Sequence, residues 1–262
     1  MPTKRHLSRD QKTRRDGKID RARYENWGAG VPNHPTLPGS ALVALQYRAA
    51  VLELENAVRK NIRIHDRVLE LGCGTGRHTS SLARTSEFVV GLDYASSVLL
   101  ALRTCGDWGK SVYPILADMA CTPFPDQCFD AVLTTTTLSY VDPKQIQHEI
   151  SRLLRDGGTL IVLDSLRHNP LYQLNRRISC IRGRRTISTV RRIPGFKLIR
   201  ELSDEFQYSS VQYFGHSLMI FPILRLFFDD DISTRFCEAL DRRLPDWMAF
   251  KFVLTAKGFQ KT

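Results

Sequence analysis

The run Glu70-Leu71-Gly72-Cys73-Gly74-Thr75-Gly76 carries the clearest chemistry in the chain. Gly72, Gly74 and Gly76 let the backbone turn sharply and approach a ligand closely. Cys73 is small and weakly polar, which suits close packing inside such a loop. The spacing is Gly-x-Gly-x-Gly. A dinucleotide fingerprint needs Gly-x-Gly-x-x-Gly, and position 77 is Arg. Glu70 stands just before the loop, where a carboxylate suits a ligand with positive charge and would repel a pyrophosphate.

The elements that must position this loop follow from periodicity. Residues 67–71 form a short apolar run that reads as a strand, and 76–84 reads as its helix. Further strands are expected at 88–92, 112–116, 129–135 and 159–164, with helices at 95–103 and 143–155. Asp142-Pro143 is a helix start, with Asp as cap and Pro where its missing N–H costs nothing. Asp156-Gly157-Gly158 reads as a turn. After 164 come a strand at 206–214, an interrupted helical stretch at 217–243 and a last strand at 247–255, ended by Lys257-Gly258. The alternation predicts an α/β, Rossmann-like, seven-stranded and mostly parallel sheet with helices on both faces, the last strand antiparallel, and an insert after the fifth strand. In such open sheets ligands sit at the carboxyl ends of the strands, where the glycine loop lies.

Upstream, residues 1–19 are polar and basic without periodicity, and read as mobile. A Pro-rich link spans 31–39. Ser40 can then cap a helix whose apolar positions are Leu42, Leu45, Ala49 and Leu52. The expected division is a basic N-terminal segment, 1–39, and a catalytic domain, 40–262, with 165–200 as its basic insert.

With these elements in place, the chain resembles the class I S-adenosylmethionine (SAM) dependent methyltransferases, in their methyltransferase-11-like, small-molecule branch, over roughly residues 67–164. Gly91-Leu92-Asp93-Tyr94, Ala117-Asp118-Met119, Pro123-Phe124-Pro125-Asp126-Gln127-Cys128-Phe129-Asp130 and Leu153-Leu154-Arg155-Asp156-Gly157-Gly158 follow the family's order of motifs. The resemblance implies SAM as cofactor and S-adenosylhomocysteine (SAH) as its product, with no metal. It implies that Asp93 binds the ribose hydroxyls and that Tyr94 packs on the adenine. Asp118 would accept from the adenine amino group, and Met119 would donate its backbone N–H beside it. Thr134 and Thr135 would meet the methionine part, and Tyr24, in a Tyr-Glu-x-Trp element, would close over the cofactor. Tyr140 matches the position after the fourth strand that faces the active site in relatives, and the resemblance implies that the Arg-rich insert at 165–200, with Arg176, Arg177, Arg182, Arg184, Arg185, Arg191 and Arg192, covers the substrate.

Methyl transfer is an in-line displacement at an activated carbon, so alignment and exclusion of water matter most. A base is needed only if the nucleophile arrives protonated. The candidates are Tyr140 and His168 first, with Asp164 and His216 behind them; each also has a plain structural reading as a packed, solvated or capping residue.

The net charge of +11 is unevenly placed: residues 1–23 carry +6 and 165–200 carry +10, with ten Lys/Arg and no acid, leaving −5 for the rest. Such blocks attract anions. Three acceptor classes stay open. The first is a small metabolite or natural product, phosphorylated or not. The second is RNA, although the Asn/Asp-Pro-Pro-Tyr/Phe tetrad of base-amino methyltransferases is absent where Thr134 to Thr137 stand. The third is a lipid-linked acceptor at a membrane surface, through Phe221, Leu224, Phe227 and Phe228 near Arg225. A non-catalytic module of the same fold is the alternative outside enzymology.

No run is long and apolar enough to span a bilayer, because His216, Pro222 and Arg225 interrupt the most apolar stretch. The basic start is not followed by an apolar segment, so no secretory signal is expected. Six cysteines without a Cys-x-x-Cys pair read as reduced thiols, which gives a cytoplasmic expectation. The sequence sets no oligomeric state.

Overall fold

The structure is a computed structural model that describes residues 9–29, 41–105, 111–217 and 220–261. The expected Pro-rich link and the Ser40 cap lie outside these residues. A seven-stranded sheet in the order β3-β2-β1-β4-β5-β7-β6 organises the chain. Its strands are β1 (Arg67–Leu71), β2 (Phe88–Asp93), β3 (Val112–Leu116), β4 (Phe129–Thr135), β5 (Leu154–Ser165), β6 (Phe206–Phe214) and β7 (Lys251–Phe259). The first five are parallel, and β7 runs antiparallel to both β5 and β6. This is the expected Rossmann-like α/β class.

The central strands are nearly all apolar because both faces are covered. Side chains alternate across the sheet. Leu69, Leu71, Val132, Leu160 and Val162 join one core with α5 (Pro143–Leu153) and α8 (Phe196–Ser203). Val68, Ala131, Leu133, Ile161 and Leu163 join the other, with α2 (Ala41–Asn61) and α3 (Thr79–Ala83). The remaining helices are α1 (Arg9–Ala29), α4 (Ser96–Cys105), α6 (Pro170–Ile181), α7 (Ile187–Arg191), α9 (Phe221–Leu224) and α10 (Asp230–Asp241). Asp142 caps α5 as expected, its carboxylate accepting from the Lys144 N–H at 3.1 Å.

Several local expectations are corrected. Residues 9–19, expected to be aperiodic and mobile, form the first part of the helix α1 (Arg9–Ala29). The reason is that α1 docks by polar contacts that hydrophobic spacing does not reveal. Its buried Asp20 accepts from the hydroxyls of Thr186 and Thr189, and Glu25 accepts from the amides of Ser96 and Ser97. In α2 the buried face is Ala50, Leu54, Ala57 and Val58, while Leu52 is exposed and Ala49 lies outside the core. The 157–158 glycines lie within β5 rather than in a separate turn, and β7 continues through Lys257-Gly258. The basic insert, 165–200, carries α6, α7 and the start of α8. Of the apolar residues proposed for a membrane face, Phe221 is core, whereas Phe227 and Phe228 are exposed. No described helix is long and apolar enough to cross a membrane.

Candidate active site

A cleft of about 370 Å³ opens at the carboxyl ends of β1, β2, β4 and β5. Its floor is the glycine loop. Gly72 has φ +71°, and a Cβ there would overlap Thr137 Cγ2, so only glycine fits. Four of the loop amides are already committed. Those of Gly72 and Cys73 donate to the Leu92 carbonyl at 2.7 and 3.0 Å, that of Gly74 to Asp93 Oδ2 at 3.0 Å, and that of Gly76 to the Cys73 carbonyl at 3.0 Å. A pyrophosphate cradle needs such amides free and a helix N-terminus beside them. Here α3 starts only at Thr79 and is five residues long. The loop therefore shapes a surface for a ligand rather than a nest for phosphate.

Asp93 ends β2 and lines the cleft. Its Oδ1 accepts from the Ala95 amide at 3.0 Å and its Oδ2 from Gly74, so both oxygens are fixed in place while each keeps a further lone pair. Burial pushes its carboxyl above the usual range. Tyr94, Asp118 and Met119 line the same end. Asp118 Oδ1 accepts from the Ala120 amide at 2.9 Å, which steadies that turn.

Glu70 departs from its expected role. It is fully buried beneath the loop and does not line the cleft; its Oε2 accepts from the Thr79 hydroxyl at 2.5 Å, while Oε1 has no partner. Burial pushes its carboxyl up to about 8. The strand's alternation decides this, because position 70 points into the sheet and not off its end. Gly76 is likewise buried behind the loop, and Thr134 is buried and paired to the Thr137 hydroxyl. Cys73 and Thr135 do line the cleft, with Thr136 and Thr137 beyond them. Thr136 holds φ +57°, a strained conformation for a β-branched residue.

The roof comes from distant parts of the chain. Tyr24 on α1 donates its hydroxyl to Tyr140 Oη at 2.8 Å and sets its ring edge-on to both Tyr140 and Tyr94. Burial raises the Tyr24 phenol well above its usual value, so it stays protonated. Tyr140 thus lines the cleft as expected. His168 does not. Its Nε2 accepts from the Phe196 amide at 3.1 Å, its ring stacks on Phe196, and it lies away from the cleft. His216 is also remote: both ring nitrogens are buried without a hydrogen bond, with Asp241 and Asp246 each 3.9 Å away. Asp164 lines the cleft and braces it, Oδ2 accepting from the Leu138 amide and Oδ1 from the Ser165 amide.

Sequence reading missed His78, Ser165, Phe250 and Lys251, all on the cleft, where Arg185 of the Arg-rich insert also stands. Burial and the neighbouring Arg77 hold the His78 imidazole down to about 4, so it is neutral at pH 7. Lys251 had a findable signal. An antiparallel β7 beside β5 must start at the edge where β5 ends, and the register does pair Ser165 with Lys251. Among the described residues, no group of three His, Cys, Asp or Glu could hold a metal ion.

Comparison with known proteins agrees with this geometry. Residues 69–162 match the family described as a methyltransferase domain. A demethylmenaquinone methyltransferase of Clavibacter sepedonicus is 32% identical over 102 residues, covering 38% of this chain and 41% of that one. The chain thus matches about two fifths of the length of such relatives. Among solved structures, a Haloferax volcanii putative methyltransferase in complex with the Trm112 activator aligns with TM-score 0.62 at 18% identity, covering 90% of this chain and 98% of that one. The geranyl diphosphate C-methyltransferase of Streptomyces coelicolor aligns with TM-score 0.60 at 18% identity, covering 93% and 98%. At these identities the two structures speak to the fold.

Proposed function

From residues 69–162 being a methyltransferase domain of the class I, SAM-dependent kind, we propose that the protein methylates a small-molecule acceptor bound at the Tyr140 end of its cleft. The observation that carries this is the glycine loop, four of whose amides are already paired and whose Asp93 faces the cleft: it accommodates a ligand with hydroxyls and positive charge, not a pyrophosphate.

The residues present fit SAM. Asp93 would hold the ribose hydroxyls, Tyr94 and Met119 would flank the adenine, and Gly72 to Gly74 would pass under the amino acid part. When bound, SAM supplies a methyl group on a sulfonium, already activated toward nucleophiles. The chain's own part is alignment. The Tyr24 hydroxyl donates to Tyr140, which leaves the Tyr140 O–H to donate toward an acceptor in the cleft. α1 covers the cleft and limits water. Should the acceptor carry a proton, the proton acceptors on the cleft are its carboxylates and neutral His78, the last a weak base because its imidazole is held down to about 4.

The test is to incubate the protein with methyl-labelled SAM and fractionated extract. Label in low-molecular-weight or organic-soluble fractions supports this reading, and label in nuclease-sensitive material replaces it with RNA methylation. In parallel, Asp93→Ala should weaken SAH binding by roughly 10- to 100-fold, as expected for losing charged hydrogen bonds. An unchanged affinity would remove Asp93 from the cofactor site.

A further inference from the structure

We propose that the cleft holds an anion subsite, in which Arg185 and Lys251, backed by Arg176, hold a phosphate-class group on a small-molecule acceptor. This rests on the methyltransferase reading for the word acceptor, but not for the binding of the anion.

Three cations converge there from separate elements. Arg185 lines the cleft from the link between α6 and α7, and has no carboxylate within salt-bridge distance among the described residues. Lys251 lines it from the start of β7, with its side chain buried. Arg176 stands behind them on α6. It too is buried; Nη1 donates to the Leu166 carbonyl at 3.0 Å, while Nη2 has no hydrogen-bond partner. The Lys251 ammonium and the Arg176 guanidinium lie 5.4 and 5.7 Å from the centre of one ring, that of Phe250, which itself lines the cleft.

Counter-charge is short. Asp164 is the cleft carboxylate whose charge reaches Lys251, and its two oxygens already accept backbone amides. Among the described lining residues, Arg185 and Lys251, with Arg176 behind them, outnumber this carboxylate, and guanidinium forks suit a phosphate-class group. Burial pushes the Lys251 ammonium down to about 8; Asp164 opposes the shift, and Arg176 and Arg185 add to it, which places the three cations within reach of one another's charge.

The site is also built rather than incidental. Thr186, next to Arg185, caps α7 and donates its hydroxyl to Asp20 at 3.0 Å; Thr189 does the same at 2.8 Å. Arg23 of α1 donates to the Arg184 carbonyl at 2.6 Å. The backbone that presents Arg185 is therefore anchored to the roof helix on both sides.

The experiment uses the full chain with and without saturating SAH, titrated with pyrophosphate, phosphate and acetate at matched ionic strength, followed by calorimetry. Saturable pyrophosphate binding that weakens at least tenfold in Arg185→Gln, with acetate weaker than phosphate in the parent protein, supports the proposal. Arg185 is exposed, so this variant does not disturb the core; Lys251→Met is the second variant, read only where it keeps the native circular dichroism. SAH binding without saturable anion binding overturns the subsite and leaves the methyltransferase reading standing. Anion binding that Arg185→Gln does not change overturns it as well, by placing the anion elsewhere. Failure to bind SAH with Arg185-dependent pyrophosphate binding sinks the methyltransferase reading but keeps the subsite. A short single-stranded RNA that binds more tightly than pyrophosphate, with the same Arg185 dependence, overturns the small-molecule assignment.

Discussion

Two residues on opposite sides of the β1 end show how burial sets chemistry. Asp93 accepts from two loop amides and keeps lone pairs facing the cleft, while Glu70, next to the same loop, is sealed below it. Because burial raises the Glu70 carboxyl to about 8 from 4.5, the folded protein holds a proton there that the unfolded chain releases. The stability from this group is complete below about pH 4.5 and is lost as pH rises toward 8. Glu70→Gln should therefore gain on the parent as pH rises through that window, by up to about 1.4 kcal/mol per pH unit. Denaturant unfolding of both unliganded proteins at several pH values checks this, and parallel curves would contradict it. His168 makes the opposite point. With its Nε2 taken by the Phe196 amide, His168→Ala should leave turnover intact and cost about 1 kcal/mol of stability. A hundredfold loss of turnover at unchanged stability would return it to the mechanism.

At the scale of elements, α1 is the part whose behaviour is easiest to misjudge. It presents few apolar side chains, and Ile19 is exposed, so its docking rests on Asp20, Arg23, Tyr24 and Glu25. Glu25 supplies α4 with the N-terminal cap that α4 lacks in its own first turn, accepting from the Ser96 and Ser97 amides at 2.9 Å each. Those amides hold its carboxyl down to about 2. The latch is thus complete above about pH 4.5 and fails as pH falls toward 2. Replacing Glu25 by Ala should cost about 1 kcal/mol, the usual worth of a cap, and raise the opening of α1 roughly fivefold. Hydrogen exchange over residues 9–29 reads this directly, and unchanged protection would show that the other contacts of α1 hold the helix without Glu25.

For the whole molecule, the cleft is closed by pieces from both ends of the sequence, α1 before the core and 165–200 after it. They are tied to each other through Asp16, Asp20 and Arg23. A ligand under this roof should be felt by both pieces at once. SAH at one hundred times its dissociation constant should add about 2.7 kcal/mol to the unfolding free energy. It should also slow exchange in α1 and in α6 to α8 together. Protection confined to the glycine loop would mean that the roof does not take part in binding.

The parallel sheet, the glycine loop and the Asp142-Pro143 helix start were legible in the sequence because each depends on local spacing: period-two or apolar runs, glycine positions and a cap followed by Pro. Asp93, Tyr94, Asp118 and Met119 came instead from the family resemblance of their motifs, and all four line the cleft. What lies across the cleft was legible only in outline, as a basic insert, and tertiary structure decided which residues reach it. Arg185, Phe250 and Lys251 are far from the loop in sequence and meet it only because β7 runs back beside β5 and the basic insert folds over the edge. The docking of α1 was hidden for a related reason. Polar contacts between distant residues leave no periodic trace, whereas burial of an apolar face does.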